Sequence, residues 1–207
     1  MTPTVSVSRG ARSRGRPREF DLDQALDGAV KVFRERGYHA TSVPHLAAAM
    51  NIAAGSLYKA FGDKHSVFLA ALDHYAGGHA ERRRELVLRP APARERLRDI
   101  LALYVEFSTG LEGRRGCLVV GGAIELAARD GEVDARVTGA LAAIETLLID
   151  LIGQGHADGS IPLDVEAQVT ARVLICLLQG MRVVGRTGLQ SARPETEIVD
   201  VALKLLV

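Results

Sequence analysis

Tyr58, Lys59 and Lys64 stand close together in the stretch "NIAAGSLYKAFGDK", Asn51 to Lys64, behind a run of small residues from Ala53 to Ser56. None of these side chains is a catalytic nucleophile or base. A phenol, two ammonium groups and the free N–H groups of a helix start are instead good partners for phosphate oxygens. Small residues at the leading end of a helix let its backbone approach another surface closely. The chemistry this spacing suits is non-covalent contact with a polyanion.

The charge distribution agrees. Residues 1–64 hold ten Lys/Arg and six Asp/Glu, for +4, and residues 65–207 hold sixteen and nineteen, for −3. Five arginines, Arg9, Arg12, Arg14, Arg16 and Arg18, fall in ten positions without an acid. A basic head on a slightly acidic body predicts that the head meets a polyanion. Residues 1–18 have no hydrophobic period and read as a flexible basic arm.

The elements that position these groups follow from periodicity. Leu22, Ala25, Leu26, Ala29, Val30 and Phe33 form one helical stripe, with Asp21 as N-cap and Gly37 as terminator. Thr41 or Ser42 caps a second, short helix with Pro44 in its first turn, ending near Met50. Ala53 to Phe61 is a third short helix, Gly62 breaks it, and Asp63 caps a longer fourth from Lys64. Longer helices are expected at 97–108, 118–128, 133–152, 165–184 and 198–207, nine in all. The fold class is all-α: a three-helix head over residues 19–66 and a helical body over 67–207.

Composition bounds the rest. At 207 residues and 47% hydrophobic the chain can bury a sizeable core, and with only 4% aromatics that core must be aliphatic. The two cysteines, Cys117 and Cys176, make no disulfide framework, which suits a reducing compartment. No apolar run approaches the ~20 residues a bilayer span needs, and the arginine-rich start lacks the apolar stretch of a secretory signal. The expectation is a soluble, cytoplasmic protein. The segments 165–184 and 195–207 are too apolar for one-sided burial, so a homodimer through them is expected.

A long helix followed by two short ones across the tight turn "MNIAAG" has the spacing of a helix-turn-helix, whose second short helix enters the DNA major groove by its N-terminal end. From "RPREF", through Phe33, the Gly37-Tyr38 turn, Thr41-Ser42-Val43 and "LAAAMNI", to "GSLYKAFGDK", the chain resembles the DNA-binding domain of the TetR family of transcriptional regulators. The resemblance implies phosphate contacts from Thr41, Tyr58 and Lys64, and base readout from Ala53, Ala54, Gly55, Ser56 and Lys59. It also implies minor-groove contacts from the arm residues Arg14, Arg16 and Arg18. The sequence departs from the family pattern at Ala60, where Tyr or His is common. The implied partner is a double-stranded, palindromic DNA operator. The implied function is repression relieved by a small-molecule effector bound in the body. No enzyme activity, cofactor or metal is expected. A DNA-binding protein without an effector, or a helical ligand carrier with a vestigial head, is the competing reading.

"GRRGCLVVGGAIELAARD" is the unusual part of the body. Its glycines are not a phosphate loop, because no Gly-Lys-Ser/Thr follows and no strand precedes. It resembles a branch of the family with a cysteine opening the sixth helix, which in some members meets reactive electrophiles. Cys117 at a helix start beside Arg114 and Arg115 would favour the thiolate. Cys176, with no charged neighbour, is expected in the core. Tyr104 and Glu125 are further effector-site candidates, although Glu125 is expected to reach solvent. His74 and His79, five apart, do not share a helix face and make no metal pair. The charges at Glu81–Glu85 are expected to form a solvated helix face.

Overall fold

The computed structural model describes residues 21–189 and 195–206. Among them every regular element is helical: α1 (Leu22–Arg36), α2 (Val43–Ala49), α3 (Ala54–Phe61), α4 (Lys64–Val87), α5 (Ala93–Ser108), α6 (Gly110–Arg115), α7 (Leu118–Glu125), α8 (Gly131–Asp158), α9 (Ala167–Gly185) and α10 (Glu195–Ala202). A 3-10 turn over Ala127–Arg129 joins α7 to α8, and another over Leu203–Leu206 extends α10. The arm residues Arg14, Arg16 and Arg18 lie outside the described residues.

Local chemistry sets the head. The Asp21 carboxylate accepts the Asp23 and Gln24 N–H groups and starts α1. Ser42 and His45 cap α2 reciprocally, with Pro44 in the first turn. The Asp63 carboxylate accepts the Ser66 N–H and starts α4. The turn between α2 and α3 bends at Asn51, whose φ of 53° is left-handed, a region that Asn enters more readily than other side chains. Helix α1 lies against the end of α2 so closely that a Cβ on Gly28 would fall 2.1 Å from the Ala49 carbonyl oxygen.

Two apolar clusters carry the packing. One joins α1–α4 to α7 and the start of α8 around Phe33, Leu46, Leu57, Phe68, Leu118 and Val133. Phe33 and Phe68 meet edge to face at 5.0 Å between ring centroids, a favourable aromatic geometry. The second joins α5, α8, α9 and α10 around Leu97, Leu101, Leu148, Leu174, Leu178 and Leu206. The helix-turn-helix head therefore shares its core with body residues 118–137.

Several expectations are corrected. Helix α8 runs from Gly131 to Asp158, past both expected ends, because Asp130 caps it early and no stop comes before Gly159. Helix α7 stops at Glu125. The six-residue α6 was not expected, since three glycines between Gly110 and Gly116 hide it. The segment expected at 198–207 starts at Glu195 and turns Val199, Ala202, Leu203 and Leu206 inward, largely against α5. Both segments expected to carry a dimer leave apolar side chains open: Val169, Val173 and Val183 on α9, and Val201 and Leu205 after it. Cys176 is exposed on that side of α9 rather than in the core, because Leu174 and Leu178, two positions either way, take the inward face. By length and composition α9 is also apolar enough to cross a bilayer, which the sequence reading missed. Its Arg182, only 4% exposed, sits in the protein core.

Gly28→Ala forces a Cβ into the Ala49 carbonyl. We expect overpacking to cost at least about 2 kcal/mol and to lower Tm by roughly 4 °C or more. A melting curve matching the unsubstituted protein would contradict the tight α1–α2 contact.

Candidate nucleic-acid interface and effector cavity

Leu57, fully buried, anchors α3 in the head. Ala53, Ala54 and Gly55 before it, and Tyr58, Lys59 and Ala60 after it, are exposed, and Ser56 is half-buried. Ala53 supplies no side-chain cap, so the first N–H groups of α3 stay free for an outside acceptor. A side chain at Gly55 would meet nothing within 4 Å. Tyr58 and Lys59 have no side-chain partner among the described residues. This is the open, donor-rich helix face the sequence predicts.

Thr41 and Lys64 make contacts within the protein. Thr41 is buried and its hydroxyl donates to the Gly37 carbonyl at 2.6 Å. The Lys64 ammonium donates to the carbonyls of Tyr38 and Thr41, both at 3.1 Å, and lies 4.2 Å from the centre of the Tyr38 ring. Both side chains are engaged in fixing the α1–α2 loop, so that loop carbonyls occupy the donors expected to meet phosphate.

Several polar contacts bind this head to the body, and three of them flank α7. The Arg34 guanidinium, 9% exposed, donates to the Gly116 carbonyl at 2.7 Å, to the Glu112 carboxylate at 2.9 Å and to the Glu112 carbonyl at 3.0 Å. Although partial burial pushes the Glu112 acid upward, the bonds from Arg34 and Arg115 prevail and hold it below the usual carboxylate range. At the other end of α7, the Glu125 carboxylate accepts the Tyr38 N–H at 2.9 Å and the His39 N–H at 3.3 Å. Gly37 has a φ of 78°, which favours glycine, and a Cβ there would sit 2.6 Å from that carboxylate and push it aside. Glu125, expected to reach solvent, is thus engaged by the loop of the head and does not line the larger body cavity. The third contact joins His65, at the start of α4, to Asp130 at 2.7 Å.

A cavity of about 260 Å³ lies in the body between α4, α5, α7, α8 and α9. Tyr104 and Cys117, two of the effector-site candidates, line it together with Tyr75, His79, Arg83 and Arg182, which are not sequence candidates. Cys117 is the N-cap residue of α7 and is half-buried. The expected cations do not face it: Arg115 pairs with Glu112 at 2.5 Å and Glu35 at 3.4 Å, and Arg114 lies beside Gly188. Arg182 supplies the positive charge beside the sulfur instead. Arg182 also donates to the Phe107 carbonyl and, at 2.6 Å, to the Tyr75 hydroxyl. Burial first, and then the neighbouring Cys117 sulfur, push the Tyr75 phenol upward. His79 is pushed down to about 3, by burial first and then by Arg182 and Arg83. No His/Cys/Asp/Glu cluster fit for a metal occurs among the described residues.

Comparison with known proteins matches both halves. Residues 25–71 match the bacterial regulatory proteins of the tetR family, and residues 93–195 match the tetracyclin repressor-like C-terminal domain. The HTH-type transcriptional repressor ComR of Escherichia coli (strain K12) is 32% identical over 186 residues, 89% of each chain. A cysteine mutant of the TetR family transcriptional regulator CifR, solved with 26-base-pair double-strand operator DNA, superposes with a TM-score of 0.76 at 33% identity. That alignment covers 92% of this chain and 98% of CifR. The reduced form of E. coli NemR shares the fold at a TM-score of 0.76 and 18% identity, over 89% of this chain and 97% of that one. The chain belongs to the TetR family, and is a helix-turn-helix transcriptional regulator.

Two predictions follow from the side-chain placements. Lys59→Ala is expected to weaken operator binding by about 1–3 kcal/mol, relax specificity at the base it meets and leave Tm unchanged, whereas Lys64→Ala lowers Tm. Equal melting of the two variants in a parallel thermal and gel-shift titration would contradict the inward role of Lys64. Because His79 is held neutral when folded and takes a proton near its ordinary 6.5 when unfolded, its contribution is complete above about pH 6.5. It is lost as pH falls from there towards about 3. The acid-side fall in Tm is therefore expected to be shallower in His79→Gln, and parallel Tm–pH curves would contradict it.

Proposed function

We propose that this regulator is a homodimeric repressor that binds a palindromic double-stranded operator and leaves it when a small molecule occupies the body cavity. In this reading residues 19–66 are the reading head and residues 67–207 the effector and dimerisation body. Tyr58 grips phosphate, and Ala53, Ala54, Gly55, Ser56 and Lys59 meet base edges. Arg14, Arg16 and Arg18 reach the adjacent minor groove. Thr41 and Lys64 act by holding the loop that sets the angle of α2. The open stripe of α9 pairs with its copy in the partner subunit.

The observation that carries the proposal is a single peptide step. Arg34 of the head bonds the Gly116 carbonyl, and the next residue, Cys117, lines the cavity. An occupant that displaces the start of α7 therefore pulls on the head. The occupant favours release only by as much as it binds the released state better; a tenfold loss of operator affinity needs about 1.4 kcal/mol of that difference. Reversible ligands qualify, as do electrophiles that alkylate the Cys117 sulfur, which lines the cavity.

The test is a footprint and gel shift on the DNA adjacent to the gene, using Cys176→Ser protein so that the exposed cysteine does not react. We expect protection of two half-sites about 34–36 Å apart, or a multiple of that spacing. After iodoacetamide treatment we expect one adduct, on Cys117, and at least a tenfold loss of affinity that Cys117→Ser abolishes. Specific binding that persists with Cys117 fully alkylated would overturn release through the cavity.

A further inference from the structure

Building on the effector reading of the cavity, we infer that its occupant is an organic anion: a carboxylate on a compact apolar body, with the acid group held by Arg83 and Arg182. Arg83 and Arg182 are 8% and 4% exposed, and both line the cavity. No Asp or Glu lines it, and neither arginine has a carboxylate partner among the described residues. Arg182 meets a carbonyl, a phenol, the Cys117 sulfur and the face of Phe107, whose ring centre is 5.3 Å from its guanidinium carbon, and none of these is a carboxylate. Arg83 has the Tyr104 hydroxyl within reach.

Buried charge is normally paired, because removing a guanidinium from water costs more than neutral hydrogen bonds return. Two such cations facing one cavity also repel each other. An anion placed between them relieves both penalties, and a carboxylate matches the planar fork of a guanidinium. Two further polar atoms at the cavity wait for a partner: His79 Nδ1 and Gln179 Nε2 are buried without one. His79 is uncharged, so it orients the ligand by a hydrogen bond.

The remaining wall sets the ligand's body. Val119, Leu141 and Ile144 give an aliphatic side, and Tyr104 and Phe107 an aromatic one. A cavity of ~150 Å³ takes benzene, so about 260 Å³ scales to roughly ten non-hydrogen atoms. A long acyl chain or a nucleotide exceeds that volume. A bare inorganic anion leaves the apolar wall unfilled.

The full-length protein is titrated calorimetrically with 3-phenylpropanoate and octanoate, each against its primary amide, and with sodium phosphate. We expect at least one acid to bind at least about tenfold more tightly than its amide. Arg83→Gln, chosen because Arg182 also bridges Phe107 and Tyr75, should erase that preference while the amide's affinity stays within about threefold. Arg83→Lys should restore part of it. Equal affinity of acid and amide, or an acid preference untouched in Arg83→Gln, would overturn the anion assignment while leaving an effector cavity intact. Binding of phosphate but neither acid, or of nothing in the panel, would overturn it too. Acid binding that depends on Arg83 but leaves operator affinity unchanged would support the anion site and overturn its effector role.

Discussion

The structure depends on one buried guanidinium. Arg34 projects from the last turn of α1 into the body and donates three hydrogen bonds to residues 112–116. A charge in that setting is retained because its partners are ideal in type: a carboxylate plus two carbonyls that no helix ladder consumes. The head is small, with an apolar cluster it completes only by borrowing Leu118, Val119, Val133 and Val137. Arg34 fixes the register of that borrowed surface. Glu125 does the same at the opposite end of α7, so this short helix is pinned to the head at both ends.

That arrangement explains why the cavity and the reading helix belong to one device. The cavity wall includes Cys117 and Val119 of α7 and Tyr75 and His79 of α4. Both helices lead directly to the head, α7 through its pinned ends and α4 as a continuous element from Lys64. The Arg34 guanidinium carbon also lies 5.4 Å from the centre of the Tyr75 ring, and Tyr75 in turn bonds Arg182. Head cation, phenol and cavity cation form a contiguous chain. Packed networks of this kind tend to have discrete rather than graded arrangements, which is what a release switch requires.

Much of the head was legible in the sequence because its determinants are local. Asp21, Ser42 and Asp63 cap their helices as read, and Leu57 splits an exposed α3 face as the periodicity demands. What escaped reading is long-range. Arg34 and Gly116 are 82 positions apart, and nothing in either neighbourhood announces the pair. The same holds for Glu125, which looked like a lone surface acid, and for Arg182, hidden in an apolar stretch. For Thr41 and Lys64 the sequence suggests phosphate partners and does not reveal their bonds to the carbonyls of the α1–α2 loop. Cys176 was misplaced because a helix apolar on nearly all sides does not reveal which side is inward. His79 was weighed only as a metal ligand, and its cavity role depends on helices far away in sequence.

The central claim is that occupancy at Cys117 is transmitted to the head through α6 and α7. Hydrogen exchange followed by mass spectrometry on Cys176→Ser protein, before and after alkylation of Cys117, tests it most directly. The account predicts faster exchange across residues 34–39 as well as 112–125, with the α5–α10 core unchanged. Faster exchange confined to the cavity wall, with residues 34–39 as protected as before, would contradict it.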